Sequence, residues 1–120
     1  MKMLICDDDS ITLRALDFQF KRDGFEILRA SNGREAQKIL IDNDDIGVLI
    51  ADLYMPLMSG LELITFVRKT LQRDIPIVIV SQVSLENTIL HAFELGADSY
   101  LTKPFNLEEL SRRVKHLLRK

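Results

Sequence analysis

Short apolar runs alternate with segments of helical periodicity five times along this sequence. Three runs, Met3–Cys6, Val48–Ala51 and Ile77–Val80, lack polar alternation, as expected for parallel strands covered on both faces. Two weaker runs, Phe25–Leu28 and Ser99–Leu101, predict strands nearer the edges of a sheet. Because parallel neighbours require right-handed crossovers, this order predicts an α/β fold with a single, doubly wound sheet of five parallel strands.

Residues at the ends of the helical segments support the same division. Gly24 and Gly96 follow the first and fourth segments, where a left-handed C-terminal residue is needed. Asn106, with Glu109 three residues later, predicts a capping box at the start of the last helix. Asn32–Gly33 predicts a turn. The apolar residues at helical spacing are Leu13, Leu16, Phe20, Ala36, Ile39, Leu40, Leu61, Ile64, Leu71, Ile89, Leu90, Phe93, Leu107, Leu110, Val114 and Leu117.

Length and composition favour one domain, residues 1–120. A chain of 120 residues, 47% hydrophobic and 28% charged, has room for one substantial core. Its net charge of −2 provides no basic field for a nucleic-acid backbone, and no apolar stretch reaches the length of a membrane span. The lone cysteine, Cys6, has no partner for an internal disulfide. We therefore expect a cytoplasmic domain that binds neither nucleic acid nor a membrane directly.

Polar side chains follow four of the predicted strands. The first strand is followed by Asp7–Asp9, the third by Asp52, the fourth by Ser81 and the fifth by Lys103. Each residue alone is ordinary, since aspartate and serine are common in turns and lysine is common at the surface. In a doubly wound sheet, however, ligands bind beyond the carboxyl ends of the strands. The four segments together therefore predict one functional site at that edge.

The predicted site would hold several carboxylates close together. Like charges a few ångströms apart disfavour ionisation unless a cation is present, and Mg²⁺ prefers oxygen ligands from one or two carboxylates together with phosphate oxygens. An aspartate can also act as a nucleophile and form an aspartyl phosphate. Phosphoryl transfer mainly requires positioning and charge neutralisation. These residue types predict Mg²⁺-dependent phosphoryl transfer to Asp52, with Ser81 and Lys103 donating to the phosphoryl oxygens.

Four segments resemble the receiver domains of two-component response regulators, over essentially the whole chain: LICDDDS, LIADLYMPLMSG, IVIVSQ and SYLTKPF. The resemblance implies a flavodoxin-like (βα)5 fold with strand order 2-1-3-4-5. It identifies Asp52 as the phosphoacceptor and Asp8 as a direct Mg²⁺ ligand, with Asp7 acting through water. It further implies that Asp52 and the backbone carbonyl of Tyr54 contact the metal.

The same resemblance implies roles for the later segments. Ser81 resembles the hydroxyl that senses the phosphoryl group, and Lys103 resembles the amine that pairs with that group. The resemblance also implies that the Lys103–Pro104 peptide bond is cis. Tyr100 resembles the switch aromatic, which turns inward when Ser81 is drawn toward the phosphoryl group. Gln82 stands where many members have a small residue, so crowding of the inward ring is expected.

The resemblance also implies partners. A histidine kinase or histidine phosphotransfer protein would dock near the first helix, around Arg14, Asp17 and Gln19. An output domain or target protein would meet the face formed by the fourth helix, fifth strand and fifth helix, through which a homodimer is also an option. Such a domain accepts and loses its own phosphoryl group but is not otherwise an enzyme.

Three other functions remain open from the sequence. A haloacid-dehalogenase-like phosphatase would use Asp7 as nucleophile and Asp9 as acid, but its further motifs and cap leave little room in 120 residues. A flavodoxin-like cofactor carrier would need a hydroxyl-rich phosphate loop where this chain has three aspartates. A degenerate receiver used only for binding is the third, and the complete set of Asp8, Asp52, Ser81 and Lys103 argues against it.

Overall fold

A computed structural model describes residues 1–119 of the chain; Lys120, the last residue of the predicted domain, lies outside the described residues. Strands and helices alternate along the described residues, and the third helix continues directly into a π-helical turn at Phe66–Thr70. The elements are β1 (Lys2–Cys6), α1 (Ser10–Arg22), β2 (Glu26–Ala30), α2 (Gly33–Asp42), β3 (Ile46–Ala51), α3 (Gly60–Thr65), β4 (Ile77–Ser81), α4 (Glu86–Leu95), β5 (Ser99–Thr102) and α5 (Leu107–Leu118).

The five strands form one parallel sheet in the order β2-β1-β3-β4-β5. This confirms the predicted fold class and strand order. In the register of the sheet, Cys6 pairs with both Ala30 and Ala51, and Ser81 pairs with Thr102. The last residues of β1, β3, β4 and β5 therefore lie at the same edge of the sheet. The residues that follow these strands are placed together as the sequence predicts.

Two hydrophobic cores lie on opposite faces of the sheet. One is packed by α2, α3 and α4 and includes Leu40, Leu63 and Ala92. The other is packed by α1 and α5 and includes Phe20 and Val114. The central strands β1, β3 and β4 are buried on both faces, which explains their continuous apolar runs. Each large side chain fully buried in these cores contributes about 1.5–3 kcal/mol to folding.

Side-chain caps begin several helices. Asn32 is the N-cap of α2, accepting from the Glu35 backbone N–H, so the turn predicted at Asn32–Gly33 is instead a helix start. Asn106 caps α5 as predicted, but the Glu109 carboxylate pairs with Arg113. Helix α4 differs, because its N-cap residue Leu85 makes no side-chain capping bond.

Glycine follows the helices α1 and α4, as predicted. Gly24 and Gly96 have φ values of +97° and +124°, a region that glycine adopts without a steric penalty. The periodicity of α4 is only partly a core pattern. Ala92 is buried, whereas Leu90 and Phe93 are exposed.

Arg68 joins three chain segments at the amino edge of the sheet. Its Nη1 donates to the Arg73 and Ile75 carbonyls at 2.8 Å. Its Nε and Nη2 donate to the Gly96 carbonyl, and Nη2 also contacts the Asp98 carboxylate at 3.0 Å. Arg68 lies within the π-helical turn, a form of helix that is rare and short. This guanidinium therefore ties the end of that turn to the C-terminal end of α4.

None of the helices in the described part of the chain combines the length and apolar character needed to cross a membrane.

Candidate functional site

A pocket of about 330 Å³ opens at the carboxyl edge of the sheet. It is formed by the loops that follow β1, β3, β4 and β5, which the strand order places side by side. The structure thus brings together the predicted residues from all four segments. The residues lining this pocket are Asp7, Asp8, Asp9, Asp52, Tyr54, Ser81, Gln82, Val83 and Lys103.

Three carboxylates converge in the pocket. Asp7, Asp8 and Asp52 each offer one oxygen, and these three oxygens lie within 4.8 Å of one another. Asp7 is fully buried, Asp52 is almost buried and Asp8 is exposed. Burial raises the pKa of Asp7, although its hydrogen bonds with Lys103 and the Asp9 backbone N–H oppose this. A hard, oxygen-only cluster of this kind fits Mg²⁺ and suits a soft thiolate-seeking metal poorly.

Lys103 supplies a cation inside the same cluster. Its Nζ donates to Asp7 Oδ2 at 2.8 Å and to Asp52 Oδ2 at 3.0 Å. Burial acts against the charged ammonium, but the hydrogen bonds to the two carboxylates prevail and raise the pKa of Lys103. The residue types predict that a divalent metal neutralises the negative charge of the three carboxylates. The structure shows that the ammonium of Lys103 also neutralises part of this charge. The Lys103–Pro104 peptide bond is cis, as the resemblance implies.

The backbone around Asp52 is held on both sides. The Asp52 N–H donates to the Cys6 carbonyl at 2.9 Å, and the Gly60 N–H donates to the Leu53 carbonyl at 2.7 Å. Gly60 lies so close that an added Cβ would stand 2.3 Å from the Asp52 carbonyl oxygen and 2.9 Å from Leu53 Cα. Sequence reasoning missed this contact, because the close approach of two chain segments leaves no pattern in the sequence.

The hydroxyl and aromatic groups predicted to act as a switch lie beside the cluster. Ser81 is buried, and its Oγ accepts from the Val83 N–H at 3.1 Å. The Tyr100 ring is also buried, and its hydroxyl donates to the Val83 carbonyl at 2.7 Å. Burial raises the pKa of Tyr100. Gln82 is exposed and leaves room for the inward ring of Tyr100. The expectation that Gln82 would crowd this ring is therefore wrong.

Tyr54 lines the pocket beside Asp52. Its side chain is largely exposed although it lines the cavity, and its backbone N–H points to Asp52 Oδ1 at 3.4 Å. The short chain from Asp52 to Tyr54 thus folds around the carboxylate. The Tyr54 carbonyl stays a predicted metal ligand.

Asp9 has a structural role. Its carboxylate accepts from the Ile11 N–H at 3.2 Å and from Thr12 Oγ1 at 2.8 Å, which caps α1 and lowers the pKa of Asp9. A dehalogenase-like phosphatase would need this group as its proton-donating acid. A low pKa and a capping role make Asp9 unsuited to that task. The negative charge of Asp7 and Asp8 likewise disfavours a flavin phosphate at this edge.

Comparison with known proteins gives consistent findings. The family model for the response regulator receiver domain matches residues 3–115. The transcriptional regulatory protein SrrA of Staphylococcus aureus is 37% identical over 119 residues, which cover 99% of this chain and 48% of that protein. The chain therefore spans about half the length of the curated relatives that it matches.

Solved structures agree in fold. A two-component response regulator from Clostridium difficile has a TM-score of 0.93 at 30% identity, covering 100% of this chain and 97% of that chain. The receiver domain of the Francisella response regulator 1452 has a TM-score of 0.89 at 30% identity, covering 98% and 96%. Sheet order, acidic cluster and sequence likeness all point to the same family.

Proposed function

This chain belongs to the response regulator receiver domain family, and from that premise we propose that it accepts a phosphoryl group on Asp52 from a phosphohistidine. The observation that carries the proposal is the cluster itself. Asp52 faces two further carboxylates within 4.8 Å, and Lys103 Nζ touches both Asp52 and Asp7. The three carboxylates and the ammonium thus surround the nucleophilic oxygen of Asp52. Phosphoryl transfer depends mainly on such positioning and on neutralisation of charge.

In the proposed reaction, a carboxylate oxygen of Asp52 attacks the phosphorus atom. The bond between phosphorus and the imidazole nitrogen breaks, and its electron pair returns to the imidazole, which takes up a proton. Lys103 then pairs with the phosphoryl oxygens, and the Ser81 hydroxyl donates to one of them. Asp7, Asp8, Asp52 and the Tyr54 carbonyl would hold Mg²⁺, which when bound neutralises negative charge on the carboxylates and the phosphoryl group.

The proposed output is a shift between two conformations of Tyr100. Its hydrogen bond to Val83 defines an inward conformation of the ring. Ser81 accepts from the backbone of the same residue, Val83, so movement of Ser81 toward a phosphoryl group changes the segment to which Tyr100 is bonded. The ring is already inward in the structure, which differs from the expectation that it turns inward only when Ser81 moves. Phosphorylation would then stabilise this inward conformation against an outward one. A change from 1:99 to 99:1 requires about 5.5 kcal/mol of differential interaction.

The proposed partners follow from the family. A histidine kinase or histidine phosphotransfer protein would supply the phosphoryl group, and an output domain or target protein would read the face of α4, β5 and α5, where a homodimer could also form. The name of SrrA, a transcriptional regulatory protein, supports an output at the level of transcription. Apart from gaining and losing its own phosphoryl group, the chain would turn over no substrate.

Intact mass after incubation with acetyl phosphate and Mg²⁺ tests the proposal. We expect the wild type to gain one phosphoryl group, about 80 Da, and Asp52→Asn to gain none. Asp9→Asn is a matched control in the same pocket, because asparagine keeps the cap of α1; it should still gain the group. Labelling retained in Asp52→Asn, or lost only in Asp9→Asn, would refute Asp52 as the acceptor.

A second prediction concerns the lifetime of the aspartyl phosphate. The bulky Tyr54 side chain lines the pocket beside Asp52 and should shield the phosphoryl group from water. Tyr54→Asn should therefore speed its hydrolysis about fivefold, equivalent to about 1 kcal/mol of barrier. The decay of the added mass after removal of acetyl phosphate measures this. Tyr54→Phe keeps the ring and should keep the wild-type lifetime, whereas an unchanged lifetime in Tyr54→Asn would show that the ring does not shield the site.

A further inference from the structure

The outer face of α1 and the edge strand β2 form another pocket, of about 320 Å³. Five residues line it: Arg14, Asp17, Phe18 and Lys21 from α1, and Arg29 from β2. The four helical residues occupy positions i, i+3, i+4 and i+7, so they share one face of α1. This surface, here called the α1–β2 pocket, shares no residue with the pocket at the carboxyl edge of the sheet.

The α1–β2 pocket carries a net positive charge. Arg14, Lys21 and Arg29 supply three cations, and Asp17 supplies a single carboxylate. Lys21 Nζ lies 3.1 Å from Asp17 Oδ1, and Arg29 Nε lies 3.5 Å from Asp17 Oδ2, so both cations are held around the same carboxylate. The Asp17 side chain is only 13% exposed, whereas the Lys21 and Arg29 side chains are 62% and 48% exposed. The carboxylate therefore lies beneath the cations, and the cations face the solvent.

An exposed aromatic ring stands among these cations. Phe18 is 66% exposed, and the Arg22 guanidinium carbon lies 5.8 Å from the centroid of its ring. The Phe18 side chain adds little to the hydrophobic cores, because most of its surface stays in contact with solvent. Ion pairs as exposed as those of Lys21 and Arg29 also add little to stability. The stability of the fold therefore does not account for this combination of an aromatic ring and several cations.

We propose that the α1–β2 pocket binds a nucleoside phosphate. Arginine matches phosphate oxygens with paired N–H donors, and the lysine ammonium adds a point charge. The exposed ring of Phe18 provides a surface on which a nucleobase of any kind can stack. The pocket volume of about 320 Å³ lies in the range of small-molecule sites, so the ligand is a single nucleotide rather than a nucleic-acid strand. The inference goes beyond the proposed function, because this ligand binds away from Asp52 and transfers no group.

NMR titration of the isotope-labelled protein with ATP tests this site, in metal-free buffer of low ionic strength. Without Mg²⁺, the carboxylates around Asp52 repel the triphosphate, so ATP is not drawn to that pocket. We expect ATP to shift the backbone amide signals of residues 14–21 and of Arg29, with a Kd of about 1 mM. Adenosine lacks the phosphates and tripolyphosphate lacks the ring, so each should bind at least about fivefold more weakly than ATP.

Two substitutions separate the contribution of the cations from that of the ring. Arg29→Gln removes one cation, and Phe18→Leu removes the ring but keeps an apolar side chain; each should weaken ATP binding about fivefold. Lys69→Gln and Phe93→Leu are matched controls, because they change an exposed lysine and an exposed phenylalanine outside the pocket. Both controls should bind ATP as the wild type does. All four variants should melt within about 3 °C of the wild type, since the changed side chains are exposed.

Three outcomes would overturn the nucleotide site. One is a titration in which the signals of the α1–β2 pocket do not shift, or in which only residues around Asp52 do. Another is tripolyphosphate binding as tight as that of ATP, with unchanged ATP binding by Phe18→Leu, which would show attraction of anions without recognition of the ring. The third is equal weakening in Arg29→Gln and Lys69→Gln, which would reflect overall charge alone. None of these results bears on the proposed function, because labelling of Asp52 by acetyl phosphate tests that function separately.

Discussion

Lys103→Met is expected to lower the free energy of unfolding at pH 7, in the absence of Mg²⁺, by about 3 kcal/mol. Lys103 Nζ contacts Asp7 and Asp52 at 2.8 and 3.0 Å, and Asp7 is fully buried. Removing the ammonium leaves these carboxylates facing each other with no paired cation. Urea unfolding in EDTA measures the loss, and Lys69→Met, at an exposed lysine, provides the control.

Two conditions should reverse much of that loss. Mg²⁺ should stabilise Lys103→Met more than the wild type, because the metal no longer competes with the ammonium for the carboxylates. Acid should do the same: burial already raises the pKa of Asp7 from 3.8, and loss of Lys103 raises it further. As the pH falls from 7 toward 3.8, the folded variant binds the proton first, so its deficit shrinks. A variant as stable as the wild type at pH 7 in EDTA would show that Lys103 does not neutralise the cluster.

Gly60→Ala is expected to destabilise the protein by about 3 kcal/mol and to abolish labelling of Asp52. The new Cβ would lie 2.3 Å from the Asp52 carbonyl oxygen and 2.9 Å from Leu53 Cα. Both are backbone atoms directly after a buried strand, so relief of the contact requires the backbone of the phosphoacceptor or the start of α3 to move. Urea unfolding and intact mass after incubation with acetyl phosphate measure the two effects.

Gly24→Ala is the matched comparison. Gly24 has a φ of +97°, and a Cβ added there would have no atom within 4 Å, so alanine costs about 1 kcal/mol of backbone strain. Its labelling should be normal, because it lies in the turn between α1 and β2. A stability loss in Gly60→Ala no larger than that in Gly24→Ala would contradict the importance of the close approach of Gly60 to Asp52.

The fold and the set of pocket residues could be predicted because both depend on strong, regular signals. Uninterrupted apolar runs report burial on both faces of a parallel sheet. Parallel strands bring the residues after them to one edge, so Asp7, Asp52, Ser81 and Lys103 could be placed together without knowing any distance. Gly24 and Gly96 were equally predictable, since few other residues adopt their positive φ values.

Other features leave no trace in the sequence. Arg68 bonds mainly to backbone carbonyls, which every residue possesses. Leu57, in the loop after β3, has a φ of +73°. Leucine disfavours positive φ, so its residue type does not predict this conformation. The exposure of Gln82 depends on the course of the β4–α4 segment, which neither periodicity nor residue size determines. In each case tertiary contacts decide the local structure.

The bonds of Arg68 also set how α4 can move. They fix the Gly96 carbonyl at one end of the helix, while the other end begins at Leu85 without a side-chain cap. If α4 moves while these bonds are kept, it must therefore rotate about its last residues. The greatest travel then falls at the Leu85 end, next to the pocket. A small change beside Asp52 would therefore displace the Leu85 end of α4 most and the Gly96 end least.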